Sequence, residues 1–194
     1  MAYASCAAEV AANIAQSCES PNVGGYTGRA VYIPKLTAPT IVRAAGNPRI
    51  VTGITLGSGV KTVAIDNVMT TPFDGSSTEL STDNGWGSFV KNIVVRIPLR
   101  GGAASKEVVE PLLRSAQGGI LVLEKRDARG DGSFEIVGLE AGVKASALTR
   151  NENENGGDWS ATLSCNEYYA ESVLFDTDYE TTLAKFEALL AQSY

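Results

Sequence analysis

Ile120-Leu-Val-Leu-Glu-Lys125, Ser133-Phe-Glu-Ile-Val137, Val143-Lys-Ala-Ser-Ala-Leu148 and Trp159-Ser-Ala-Thr-Leu-Ser-Cys165 are four short apolar or alternating runs. Between them stand the polar tips Arg126-Asp-Ala-Arg-Gly-Asp-Gly132 and Asn151-Glu-Asn-Glu-Asn-Gly-Gly-Asp158. Short strand-like runs punctuated by Gly, Asn and Asp are the pattern of an antiparallel meander. That reading makes residues 120–167 a β-scaffold, and the rest of the chain is read outward from it.

Upstream, Gly28–Pro34, Thr40–Arg43, Arg49–Leu56 and Val60–Ile65 read as strands, with a Gly57-Ser-Gly59 turn suggesting that the last two form a hairpin. Phe89–Leu99 is the longest strand candidate. Residues 66–88 carry Asp66-Asn, Pro72, Asp74-Gly-Ser-Ser and Thr82-Asp-Asn-Gly85, so more than twenty residues read as a protruding loop or hairpin in which Thr78-Glu-Leu-Ser pairs only briefly.

Three helices are expected to flank the strands. An N-terminal one over residues 5–18 carries Cys6, Val10, Ile14 and Cys18 at every fourth position. A central one over 105–117 starts at the N-cap Ser105, with Pro111 forcing a kink or a later start. A C-terminal one over 178–191 follows a Thr177-x-x-Glu180 capping-box match, with Tyr179, Leu183, Phe186 and Leu190 at helical spacing. The fold class is therefore α+β with β dominant: an antiparallel sandwich or a partly closed barrel with flanking helices. Residues 1–24 form an N-terminal arm and 25–194 a single β-rich domain.

At 194 residues with 44% hydrophobic and 20% charged content, the chain suits one globular domain with a full core. A net charge of −6 argues against nucleic-acid binding by the surface as a whole. There is no histidine, which removes the commonest general base and metal ligand. The three cysteines have no CxxC spacing, and Cys6 and Cys18 would lie roughly 18 Å apart on a continuous helix, so both read as small packed hydrophobes. The alanine-rich N-terminus lacks a positive segment, Glu9 and Asn13 interrupt it, and no stretch approaches a membrane span; a soluble protein made in the cytoplasm is expected.

Short motifs resolve into turns. Arg129-Gly-Asp131 spells an adhesion tripeptide but occupies a hairpin tip. Asn151-x-Asn153-x-Asn155-Gly156 opens like a calcium loop, but its twelfth position is Thr162 instead of a bidentate glutamate; a solvated turn is the default, and a weak cation site is the alternative. Gly57-Ser-Gly-Val-Lys-Thr62 lacks the Gly-Lys pair of a phosphate loop. With no nucleophile motif or ligand cluster, no enzymatic activity, metal or cofactor is expected.

Charge is more informative. Residues 25–64 contain Arg29, Lys35, Arg43, Arg49 and Lys61 and no acid, whereas 65–90 contain Asp66, Asp74, Glu79 and Asp83 and no base. Residues 115–194 carry fourteen acids against six bases. One reading is scatter over a mixed surface; the other is that opposed faces of successive copies complement each other, as head-to-tail assembly requires. On the second reading these nine residues are the candidate assembly set.

Two stretches resemble tailed-bacteriophage virion proteins of the tail-tube and head–tail ring class. One is the cadence Glu135-Ile-Val-Gly-Leu-Glu-Ala-Gly-Val-Lys-Ala145, the polar tip, Trp159-Ser-Ala-Thr-Leu and an acidic helix. The other is the opening from Cys6 through Cys18-Glu-Ser-Pro-Asn-Val-Gly-Gly-Tyr26, similar to N-termini of structural proteins of Bacteroides-infecting, crAss-like phages. The resemblance implies a non-enzymatic virion protein, made in the host bacterial cytoplasm and assembled with itself into hexameric or dodecameric rings beside other virion proteins. DNA would then be passing cargo and no membrane would be involved. In a tube, residues 66–100 would supply the hairpin that joins neighbours around the channel. A neck or head auxiliary (decoration) protein is the alternative within the class. A monomeric β-sandwich ligand-binding module, with Trp86 and Trp159 as platforms, is the alternative outside it.

Overall fold

In the computed structural model, residues 25–66, 73–82, 87–97, 114–126, 130–150 and 159–193 are described. Among the described residues, eleven strands run in chain order: β1 (Tyr26–Pro34), β2 (Thr40–Ala44), β3 (Asn47–Thr55), β4 (Val63–Asp66), β5 (Phe73–Ser81), β6 (Ser88–Ile97), β7 (Gly119–Lys125), β8 (Phe134–Val137), β9 (Lys144–Arg150), β10 (Trp159–Glu167) and β11 (Ser172–Leu174). A helix, α1 (Tyr179–Ala191), follows β11. The strands form a seven-stranded sheet in the order β2-β3-β11-β8-β7-β1-β4 and a four-stranded sheet in the order β5-β6-β10-β9. Neither sheet closes on itself among the described residues, so the architecture is a β-sandwich with a flanking helix.

Two cores follow from strand alternation. Ala30 and Tyr32 of β1, Leu121 and Leu123 of β7 and Val137 of β8 point one way, against Ile93 and Val95 of β6 and Ala161 and Leu163 of β10. Their neighbours Val31, Ile33, Ile120, Val122, Phe134 and Ile136 point the other way, against Phe186 and Leu189 of α1. The seven-stranded sheet is thus covered on both faces, which explains why β7 reads as an unbroken apolar run. Phe134 stacks between Tyr179 and Phe186, at centroid distances of 6.0 and 4.9 Å. Asp178 caps α1 by accepting from the Thr181 amide at 2.7 Å; the expected capping residue Thr177 instead donates to Asp176.

The four-run stretch 120–167 does not form one meander. β7 pairs with β8 in the larger sheet, and β9 pairs with β10 in the smaller one. The chain changes sheets at residues 138–143. Gly138 and Gly142 have φ of +85° and +78°, and the Gly142 amide donates to the Gly138 carbonyl. Val143 then bridges back to Gly119 through two backbone hydrogen bonds of 2.8 and 3.0 Å. A methyl group on Gly138 would fall 2.5 Å from Val143 N and closer still to the Gly119 carbonyl oxygen, so only glycine fits this crossing.

Two further expectations are corrected, and one strand is added. β3 and β4 do not form a hairpin: β3 lies between β2 and β11, and β4 lies beside β1 at the far edge. The turn at Val60, whose amide donates to Gly57 O, carries the chain between these positions. Residues 73–81 are a full strand, paired antiparallel with β6 from Phe73 to Ser81 around a bulge at Asp74, where a loop or hairpin with only brief pairing was expected. β11, parallel to β3 and antiparallel to β8, was not anticipated. The expected helix over 5–18, residues 105–113 of the central helix, and the tip at 151–158 lie outside the described residues; residues 114–117 are turn and bend.

Candidate functional site

The basic stretch before residue 64 is turned onto its own chain. Arg29 of β1 lies 3.7 Å from Glu124 and 3.4 Å from Glu187, with its guanidinium 5.5 Å from the centre of the Phe186 ring. Lys35 donates to the carbonyls of Leu139 and Glu140, and Arg43 donates to Glu140 at 2.6 Å and to Pro48 O at 2.7 Å. Arg49 sits over Tyr169 at 5.1 Å, and the exposed Lys61 reaches Ser193 O at 3.5 Å. The structure therefore brings these cations onto acids, carbonyls and rings of the C-terminal half of the same chain. Of the four expected acids, Asp66 stands opposite Arg29 in the β1–β4 register, Asp74 marks the β5 bulge, Glu79 is exposed on β5, and Asp83 lies outside the described residues.

The four-stranded sheet offers another surface. Each of its strands is antiparallel to its neighbour, so β5 and β10 run one way and β6 and β9 the other. Among the described residues nothing pairs with the outer edge of β5 or of β9. β9 carries Lys144 and Arg150 and no acid; β5 carries Asp74 and Glu79 and no base. Lys144 has Ser164 as its register partner and Glu79 has Val90, which places Lys144 and Glu79 on the same outward face at opposite edges of one sheet. Residues 75–80 of β5 are exposed, as is nearly all of β9.

Between the sheets lies a polar cluster that sequence reasoning missed. Lys91 of β6 and Glu135 of β8 meet at 2.8 Å, with the Lys91 side chain 2% exposed. The second Glu135 oxygen accepts from the Tyr26 hydroxyl at 2.8 Å and faces Lys125 at 3.4 Å; Lys125 also pairs with Glu171. Burial alone would raise the Glu135 carboxyl, but Lys91, Lys125 and the Tyr26 hydroxyl outweigh it and hold it below the ordinary carboxylate range. Glu167 of β10 is in the opposite condition. Burial pushes its carboxyl up despite the Gly138 amide, which donates to Oε1 at 2.6 Å, and Oε2 has no partner among the described residues. Beside it the Cys165 thiol is pushed up to about 12 by burial and by Glu167, which makes it unreactive.

The signal for this cluster was present. Lys91 shares the period-two face of Phe89, Ile93 and Val95, and Glu167 shares that of Leu163 and Cys165. A charge on an apolar strand face points to a buried partner. Trp159 is overlaid by Arg150 at 5.6 Å, which covers one proposed ligand platform; Trp86 lies outside the described residues. Among the described residues no helix is long and apolar enough to cross a membrane, and no group of three or more acids and cysteines could hold a metal ion. Comparison with protein-family models, with curated protein sequences and with solved structures finds no match.

Proposed function

We propose that this chain is a non-enzymatic structural subunit of a tailed-phage virion, of the tail-tube or head–tail ring class. Successive copies continue the four-stranded sheet head to tail. The observation that carries this reading is the pair of open, oppositely charged edges on that sheet. Because β9 runs opposite to β5, setting β9 of one copy beside β5 of the next gives an antiparallel pair without inverting either subunit. The Lys144 end of β9 then meets the Glu79 end of β5, with both side chains on the same face. A contact between two different patches repeats around a closed ring. DNA would pass through such a ring without being gripped, consistent with the net charge of −6.

Phe73 of β5 is buried in the sandwich, so deleting the hairpin would damage the fold as well as the edge. Charge reversal is the cleaner test. Light scattering and negative-stain images of the wild type should show rings. Glu79→Lys or Lys144→Glu alone should shift the protein to monomer, and the double reversal should restore assembly. A wild type that stays monomeric at high concentration sinks the reading.

A further inference from the structure

We propose that Lys91 and Glu135 become joined by an intramolecular amide, formed by the folded chain itself, which ties the four-stranded sheet to the seven-stranded one. This goes beyond the assembly reading and does not depend on it. Lys91 Nζ lies 2.8 Å from Glu135 Oε1, in direct contact with the carboxyl group, and both side chains are shut away from water. The two residues come from strands in opposite sheets, so folding alone brings them together and holds them in one orientation.

Two surrounding groups suit an acyl transfer. Glu135 Oε2, the oxygen that would carry negative charge in a tetrahedral intermediate, already accepts from the Tyr26 hydroxyl at 2.8 Å and faces the Lys125 ammonium at 3.4 Å.

Glu135 rests ionised, so reaction starts from the minor tautomer in which the ion-pair proton has moved from Nζ to Oε1. Loss of water from around both charges brings that neutral tautomer closer in energy to the ion pair. The Lys91 amine then attacks the Glu135 carboxyl carbon, forming the C–N bond and placing negative charge on Oε2. The nitrogen gives its extra proton to the departing Oε1 hydroxyl. The C–O bond breaks, Oε2 returns to a carbonyl, and one water leaves with no change of oxidation state. The reaction occurs once per molecule, so it needs no turnover.

The test is the mass of the intact wild-type protein under denaturing conditions, with tandem mass spectrometry of a tryptic digest. The expected chain is lighter than its sequence by one water, is not cut after Lys91, and yields a branched peptide joining Lys91 to Glu135. Lys91→Arg and Glu135→Ala should both return to the full mass of their own sequences. Cyclisation at Asp74-Gly75 or Asp131-Gly132 would also lose water, but it reverses in mild base and persists in Lys91→Arg. A wild type at full mass after prolonged incubation overturns the proposal whether or not the variants fold. Water loss that persists in Lys91→Arg overturns it as well.

Discussion

Replacing Gly138 by alanine should strike at the point where the chain leaves one sheet for the other. Its φ of +85° lies in the left-handed region, which costs an alanine about 1–2 kcal/mol. The added methyl would also fall 2.5 Å from Val143 N, against the Gly119–Val143 bridge. Opening that bridge forfeits two backbone hydrogen bonds, at about 1 kcal/mol each. Together these come to about 3–4 kcal/mol, a large fraction of the ~5–15 kcal/mol typical of a folded domain. Two other glycines separate the contributions. Gly46 has φ of +82° with nothing within 4 Å of where a methyl would stand, so alanine there should cost only the backbone strain. Gly132 has neither the positive φ nor a close neighbour, and alanine there should be nearly neutral. Urea unfolding of the three variants, followed by circular dichroism, should rank them Gly138, Gly46, Gly132 in falling cost. A Gly138→Ala midpoint no lower than that of Gly46→Ala would refute the steric account of the crossing.

Phe186→Ala should cost about 3–5 kcal/mol in the same assay, because it empties a fully buried site against Phe134 and removes the ring beneath Arg29. Asp178→Ala should lower the thermal midpoint and Thr177→Ala should leave it nearly unchanged, since Asp178 makes the capping bond; equal losses would return the cap to Thr177. Stability should depend on pH with opposite signs at two carboxyls. Glu167 has a folded-state pKa raised by burial, so its contribution is fully present below its unfolded pKa and is lost as pH rises through the folded value. Asp178 has its pKa lowered, first by its hydrogen bonds with Thr181, so its contribution is present above its unfolded pKa and is lost as pH falls through the folded value. Glu167→Gln should flatten the first limb of the pH–stability curve and Asp178→Asn the second; an unchanged limb in either variant would reassign its cause.

The strands that the sequence made legible are β1 to β4 and β6 to β10, where alternation or an apolar run bounded by turn residues marks a face. Partnering was less legible, because period-two alternation says which way a side chain points but not which sheet it joins. Hence the apparent meander is two hairpins in different sheets, and Gly57-Ser-Gly59 links strands that never pair. β5 was obscured by Asp74-Gly-Ser-Ser, residues with poor strand propensity that are held extended by pairing along β6. The three residues of β11 are too few to show a period. At the candidate site, the charge asymmetry was readable, but not that β1 to β3 direct their cations onto their own chain. The cluster around Lys91 announced itself only as charges on apolar faces, and its partners come from strands far apart in sequence.

The parallel pairing of β11 with β3 has a consequence for the order in which the chain can fold. Ile50 and Val51 find Val173 and Leu174, and those few contacts join the β2–β3 hairpin to the middle of the seven-stranded sheet. During synthesis the hairpin must wait, with one edge open, until residues 172–174 have appeared. Pairings of such long sequence separation fold slowly and leave unpaired edges available to wrong partners. A chain interrupted before residue 172 would carry two open strand edges, on β3 and β8, that β11 fills in the finished protein. Completion of the larger sheet therefore waits for residues 172–174, more than a hundred residues after β3.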